Sequence, residues 1–131
     1  AYHRYGREGV ELSPETRAAL EAGRAVTAKD YLAALDWQRV LGAGIAEILE
    51  RADAILCPAA PGPAPEGLGS TGSAIFNGLW TYLGLPAVTL PLLESETGLP
   101  MGVQLVGRKG DDARLLRTAR WLTRHLAQPE G

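Results

Sequence analysis

The side chains that could act as acids, bases or nucleophiles are few and stand far apart in this chain. The two histidines, His3 and His125, lie near opposite ends of the 131 residues, and neither has a carboxylate neighbour that suggests a site. The one cysteine, Cys57, lies in an apolar run without a basic residue that could stabilise its thiolate. We therefore interpret Cys57 as a small buried hydrophobe and not as a nucleophile.

Serine and lysine can also form a nucleophile–base pair, but here they lack an activating context. The four serines do not occur in a nucleophile elbow of the GxSxG type or in a glycine-flanked pair. The sequence has no phosphate-binding glycine loop, and no His or Cys pair has the spacing of metal ligands. We therefore assign no catalytic, cofactor-binding or metal-binding residue to this chain. The serines are Ser13, Ser70, Ser73 and Ser95, and the only lysines are Lys29 and Lys109.

Charged residues mark the last helix of the chain. Asp111 and Asp112 precede a periodic segment, where carboxylates stabilise the positive end of a helix dipole, so we interpret them as structural. That segment carries a basic stripe, which could bind nucleic acid. The net charge of −2 instead favours a solvent-exposed helix face. The basic stripe consists of Arg114, Arg117, Arg120 and Arg124, and the apolar stripe of Leu115, Ala119, Leu122 and Leu126.

The sequence pattern before this helix predicts a short helix and two strands, which are the elements that would form a site. Residues 74–83 are predicted to form a short apolar helix that Ser73 caps and that ends at Gly84-Leu85-Pro86. Residues 87–90 and 101–106 are predicted strands, with turn chemistry at Thr97-Gly98 between them. Two short apolar strands joined by a polar loop indicate a buried antiparallel pair.

The first half of the chain predicts two helices and a strand. Ser13-Pro14-Glu15 is a helix start, and Thr27 with Asp30 forms a second one that resembles a capping box. We expect Trp37 to pack, and we expect a buried stripe along the second helix. Residues 54–57 form a brief strand, and the Pro- and Gly-rich loop to Ser70 is either functional or a surface excursion. The predicted stripe consists of Tyr31, Leu35, Ile45, Ile48 and Leu49.

Four segments in this order resemble the C-terminal part of the amidase signature family of serine amide hydrolases. They read DAILCPAAPGPAP, FNGLWTYLGLPAVTLP, GLPMGVQLVG and DDARLLRTARWL. The resemblance implies an α/β fold, with a partial mixed sheet and flanking helices, and residues 1–131 as a single C-terminal segment. The family cleaves amides with a serine nucleophile, a second serine in a cis peptide and a lysine base. No serine or lysine here matches those positions.

The resemblance also implies where the rest of the enzyme lies. The only methionine is Met101 and the sequence opens at Ala1, so either a start methionine was removed or a longer polypeptide precedes this segment. Because family members are several-fold longer, we expect that a longer polypeptide precedes this segment. We expect the Ser–cis-Ser–Lys triad to lie in that absent portion. We expect this chain alone to be inactive and to contribute scaffold and part of the substrate pocket.

The short helix before the GLP turn borders the acyl side of the cleft in this family. The expected substrate pocket residues are Phe76, Asn77, Trp80 and Thr81. Relatives that use glutamine carry an acidic residue near the start of this helix, whereas Ser73-Ala74 is uncharged here, which favours a less polar amide. The alternative is that Phe76 and Trp80 are ordinary core residues.

Composition limits the expected partners. The hydrophobic fraction of 46% is typical of a globular domain, and no apolar run approaches the length that spans a bilayer. We expect a cytoplasmic enzyme that acts on a small-molecule amide without a cofactor, without nucleic acid or membrane partners, and that could form a homodimer. The competing interpretations are an interaction module with an amidase-like fold, without enzymatic activity, and a relative of the A-type subunits of amidotransferases.

Overall fold

The computed structural model describes residues 11–126, so His3 lies outside the described residues. The chain divides into two compact units between Trp37 and Gln38. Four helices and three strands follow one another along the described chain. They are α1 (Pro14–Arg24), α2 (Ala28–Arg51), β1 (Ile55–Pro58), α3 (Gly78–Leu83), β2 (Ala87–Glu94), β3 (Pro100–Val106) and α4 (Asp112–Leu126).

Side-chain caps begin α1 and α2 where the sequence predicts them. The Ser13 hydroxyl accepts the N–H of Thr16 at 3.2 Å, and Pro14 is the first residue of α1. Hydrogen bonds from its own backbone N–H and from Ser13 lower the pKa of Glu15. The Thr27 hydroxyl accepts the N–H of Asp30 at 3.1 Å and donates to its carboxylate at 2.7 Å. Both predicted helix starts are therefore confirmed.

The predicted buried stripe of α2 is only partly correct. Leu49 is 1% exposed, and Leu35 and Ile45 are half-buried. Tyr31 and Ile48, however, are 60% and 51% exposed, so the prediction is wrong for these two residues. The expected packing of Trp37 is also wrong, because its side chain is 62% exposed. Helical periodicity shows which residues share a face, but not whether another element covers that face.

The three strands form an antiparallel sheet in the order β1-β3-β2. Ile55 and Ala87 both lie opposite Val106, so β3 is the central strand. The register of β2 shifts between Leu90 and Leu93, where Pro91 has no N–H to donate to the ladder. The predicted antiparallel pair is confirmed, although β2 continues beyond this bulge to Glu94. The α/β class is confirmed, and the described part of the sheet is antiparallel.

Helix α3 begins four residues later than predicted. The Ser73 hydroxyl accepts the N–H of Ile75 at 3.3 Å, which makes a local turn and not a helix cap. A turn over residues 75–77 follows, and α3 spans only Gly78–Leu83. Its end agrees with the prediction, because Gly84 has a φ of 66° and Leu85 N–H donates to the Trp80 carbonyl at 3.0 Å. This arrangement is a Schellman motif.

The main apolar cluster lies between the sheet and α4. Leu115 and Ala119 of α4 pack with Leu105 of β3, and Leu122 is partly buried against them. Leu126 is 59% exposed, so the predicted stripe does not extend to the end of the helix. The N–H of Leu115 donates to the Asp111 carbonyl at 3.2 Å, which confirms the predicted helix start at Asp111-Asp112.

Gly102 is required because the neighbouring strand approaches it closely. A Cβ at this position would lie 2.4 Å from Thr89 Cγ2 and 3.3 Å from Ala59 Cβ. We expect Gly102→Ala to lower the free energy of unfolding by about 1–3 kcal/mol, measured by urea denaturation.

The matched control removes the atom that would clash. Gly102→Ala combined with Thr89→Ser, which lacks the methyl group, should recover roughly half of the lost stability. An equal loss in the single and double variants would show that this contact is not the cause.

Candidate functional site

The serine hydroxyls within residues 11–126 all serve local backbone structure. Beyond Ser13 and Ser73, the Ser70 hydroxyl accepts the N–H of Gly72 and the Ser95 hydroxyl accepts that of Leu99, both at 3.0 Å. Among the described residues, no group of three His, Cys, Asp or Glu side chains could hold a metal ion.

A groove with a largely apolar lining lies beside β1, and we call it the apolar groove. It has a volume of about 680 Å³. It is bounded by β1 and the loop after it, by the turn before α3, and by parts of β2 and β3. A thiol and one hydroxyl, those of Cys57 and Ser73, are the polar side-chain groups in its lining. The larger apolar lining residues are Leu56, Pro58, Ile75, Phe76, Leu93, Met101 and Val103.

A buried glutamine fixes one wall of the apolar groove. Gln104 of β3 is only 4% exposed. Its Nε2 donates to the Phe76 carbonyl at 3.2 Å and lies 3.5 Å from Cys57 Sγ. The amide thus links the central strand to β1 and to the turn that presents Phe76. We did not predict this residue from the sequence, although a lone polar side chain within the apolar run GVQLVG was a usable signal.

Asn77 adds a second link between the same turn and the loop after β1. Its Nδ2 donates to the Ala59 carbonyl at 3.3 Å. Ala60 and Pro61, which follow in that loop, line the groove, whereas Leu68 farther along is fully exposed. One part of the Pro- and Gly-rich loop therefore lies beside the groove and another part is a surface excursion, and a functional role for the loop stays a prediction.

The four expected pocket residues have different surroundings. Phe76 lines the groove, and Asn77 supports its wall. Trp80 is half-buried, and its Nε1 is buried without a hydrogen-bond partner among the described residues. Thr81 is exposed and does not line the groove. Among these four residues, the structure brings only Phe76 into direct contact with this space, and a role in substrate binding stays a prediction for all of them.

A second cavity, of about 420 Å³, lies between the C-terminal half of α2 and the segment after β3. Two of its polar side chains, those of Arg108 and Gln38, bind backbone carbonyls. The guanidinium of Arg108 donates to the Leu49 carbonyl through Nε at 2.9 Å and also through Nη2. Gln38 Nε2 donates to the Tyr82 carbonyl. Arg108 thus satisfies a carbonyl in the last turn of α2, where carbonyls have no partner within the helix, so its role at this cavity is structural.

Comparisons with known proteins agree on one family. The profile described as Amidase matches residues 6–116. A fatty acid amide hydrolase of Medicago truncatula is 35% identical over 124 residues, which cover 86% of this chain and 20% of that protein. The A-type subunit of the glutamyl-tRNA(Gln) amidotransferase of Treponema denticola is 27% identical over 121 residues, which cover 83% of this chain and 25% of that protein.

Solved structures give the same result for the fold. A crystal structure of an amidase superposes with a TM-score of 0.77 and 34% identity, over 88% of this chain and 29% of that one. The 6-aminohexanoate cyclic dimer hydrolase superposes with a TM-score of 0.67 and 22% identity, over 92% of this chain and 30% of that one. At this identity, the similarity supports the fold alone. The chain thus spans about a fifth to a quarter of the length of these curated relatives. Within residues 11–126, no helix is long and apolar enough to cross a membrane.

Replacing Gln104 tests its role in the groove wall. We expect Gln104→Met, which is close in volume but donates no hydrogen bond, to lower the free energy of unfolding by about 1–3 kcal/mol in urea, because the Phe76 carbonyl loses its donor. Hydrogen exchange should also become faster in residues 73–77. Gln104→Glu is the matched control for shape. It should lower the free energy of unfolding by at least as much as Gln104→Met, because it buries a carboxylate. Unchanged exchange in both variants would contradict the proposed link.

Proposed function

Because the chain belongs to the amidase family, we propose that it is the C-terminal part of an enzyme that hydrolyses the carbon–nitrogen bonds of linear amides. In this proposal, residues 1–131 form one segment of the amidase domain, and the Ser–cis-Ser–Lys triad lies outside this chain. Two observations support it. The chain spans only about a fifth of the relatives' length, and each of its serine hydroxyls accepts a backbone N–H in a cap or turn.

The apolar groove is the observation that carries the proposal for this segment. Phe76 and Ile75 present apolar surface beside β1, and Gln104 and Asn77 hold the turn that carries them. A preformed apolar wall can orient the acyl part of an amide, and the attacking hydroxyl and the oxyanion donors then act on the carbonyl. Binding energy from the acyl part can thus assist cleavage even though the cutting groups are elsewhere.

The lining of the groove favours a less polar substrate. No Asp, Glu, Lys or Arg side chain of residues 11–126 lines it. The family resemblance also implies that the uncharged Ser73-Ala74 takes the place of an acidic residue in glutamine-using relatives. A substrate ammonium group would therefore have no carboxylate partner in this wall. Fatty acid amide hydrolases are among the similar proteins, and an amide with an apolar acyl part is the substrate class that this wall suits best.

The remaining parts of the proposal follow from the family resemblance and the composition. Serine-based amide cleavage needs no metal or organic cofactor. The net charge of −2 gives no general attraction to nucleic acid or to anionic membranes. We propose a cytoplasmic enzyme with a small-molecule amide as its substrate, in which two copies could assemble as a homodimer.

The isolated 131-residue chain should release no ammonia from simple linear amides such as hexanamide, measured with a coupled ammonia assay. The physical reason is that, in this proposal, the activated hydroxyl, its base and the oxyanion donors belong to the portion outside this chain. Turnover that co-purifies with the chain and disappears on substitution of Lys29 or Lys109 by alanine would overturn this placement of the catalytic groups.

The longer polypeptide, in which the rest of the amidase domain precedes this chain, should prefer longer acyl groups. We expect kcat/KM to rise by up to about fourfold per added methylene until the groove is filled, because each buried methylene contributes roughly 0.8 kcal/mol. Phe76→Ala and Ile75→Asp should flatten this dependence. Leu116→Ala, at an exposed position on α4, is the control and should preserve it. A slope that both groove variants leave intact would exclude the apolar groove as the acyl site.

A further inference from the structure

Helix α4 covers only part of the sheet. It packs against β2 and β3, and a groove of about 660 Å³ remains between α4 and β1. We call this space the β1–α4 groove. Leu56 and Trp121 line it and are 59% and 61% exposed, while Leu105 and Leu122 form more of its apolar lining. Leu105 is buried beneath α4, whereas Leu56 and Trp121 present apolar surface outward beside the domain core.

The β1–α4 groove continues onto a basic surface. Arg117 and Trp121 line the groove and also border a cleft that contains Arg120, Arg124 and His125. The Trp121 and His125 rings stack, with centroids 5.2 Å apart and planes within 8° of parallel. Arg114 pairs with Asp53 at 3.3 Å, but within residues 11–126 the other three arginines of α4 make no salt bridge. The apolar groove lining and these arginines therefore form one continuous surface.

We propose that this surface is an internal docking face that receives an acidic amphipathic segment from the remainder of the amidase domain. Apolar side chains of that segment would fill the β1–α4 groove, and its carboxylates would face Arg117, Arg120 and Arg124. The inference rests on the proposed function, because it takes the missing part of the domain as the source. Trp and Arg are the side chains that dominate packed interfaces, and complementary charge selects an acidic partner.

The length of the missing part of the domain and the shape of this surface favour an acidic protein segment over nucleic acid or an anionic membrane. The chain covers 29% of the matching solved amidase, so in a domain of that size most of the residues lie outside this segment and can supply the docked one. The basic stretch from Arg117 to Arg124 extends only about 10 Å along the helix, at 1.5 Å per residue. Asp53, Asp111 and Asp112 follow it toward the other end of α4 and would repel a longer nucleic acid or an anionic bilayer. A concave apolar groove also accepts side chains better than it accepts a flat membrane surface.

Cysteine labelling tests the docking face without using enzyme activity. Thr118 lines the β1–α4 groove, and Thr97 lies in the exposed turn between β2 and β3. Each is replaced by cysteine in a Cys57→Ser background, and the rate of reaction with a maleimide is measured. In the longer polypeptide, the Thr118→Cys rate should fall by roughly tenfold relative to the 131-residue chain, because the docked segment buries this position. The Thr97→Cys rate should stay unchanged.

Charge variants test the acidic character of the segment. The double variant Arg120→Gln/Arg124→Gln should restore at least about a third of the lost Thr118→Cys reactivity. This recovery should be larger at low salt than at high salt, because salt screens the charges. The control, Arg17→Gln/Arg51→Gln, should leave the reactivity unchanged. Full reactivity of Thr118→Cys in the longer polypeptide would overturn the proposal, even if that polypeptide hydrolyses amides. Protection that appears in the isolated chain and grows with its concentration would instead identify a second copy, and protection by added RNA or anionic vesicles would identify a polyanion. Loss of hydrolysis with protection intact would refute only the proposed function.

Discussion

The buried amide of Gln104 is the interaction on which the candidate site depends. It stands in the central strand, at 4% exposure, and reaches the Phe76 carbonyl and the sulfur of Cys57. An amide in such a place must find partners, because a buried polar group without one costs about 1–3 kcal/mol. Here the partner belongs to an irregular turn, so the need to satisfy Gln104 also fixes the position of Phe76. A rigid strand thereby determines the shape of a groove that turns and loops otherwise form.

The same strand organises the packing on both of its sides. At one end of β3, the missing side chain of Gly102 lets Thr89 and Ala59 come close. Just beyond the other end, a Cβ on Gly107 would lie 3.0 Å from the Cβ of Leu115, so this glycine allows α4 to lie against the sheet. Between these points, Leu105 and Val106 are almost completely buried. The strand therefore connects the groove to the helix layer, and a change in its register would disturb both.

Outside this centre, much of the apolar surface of the described residues is exposed. Val40 and Leu41 on α2, Leu56 on β1 and Trp121 on α4 are between 42% and 61% exposed. A complete domain of this family would supply further elements, and the curated relatives are about four to five times as long as the part that matches here. The exposure is therefore consistent with a segment whose partners belong to the same domain, and it explains why strongly periodic helices carry so few buried residues.

The sequence by itself determined the local features, because they depend on neighbouring residues: the caps at Ser13 and Thr27, the end of α3 at Gly84, and the start of α4 at Asp111-Asp112. The apolar strands and their antiparallel pairing also followed from short-range pattern and turn chemistry. Only the tertiary structure decided which faces are covered. It left Tyr31, Trp37 and Ile48 exposed, replaced the first turn predicted for α3 by a turn that Asn77 and Gln104 hold, and brought Phe76 but not Thr81 to the groove. The physical reason is that burial and long-range hydrogen bonds join residues far apart in the chain, and periodicity along one element does not record which neighbour it will meet.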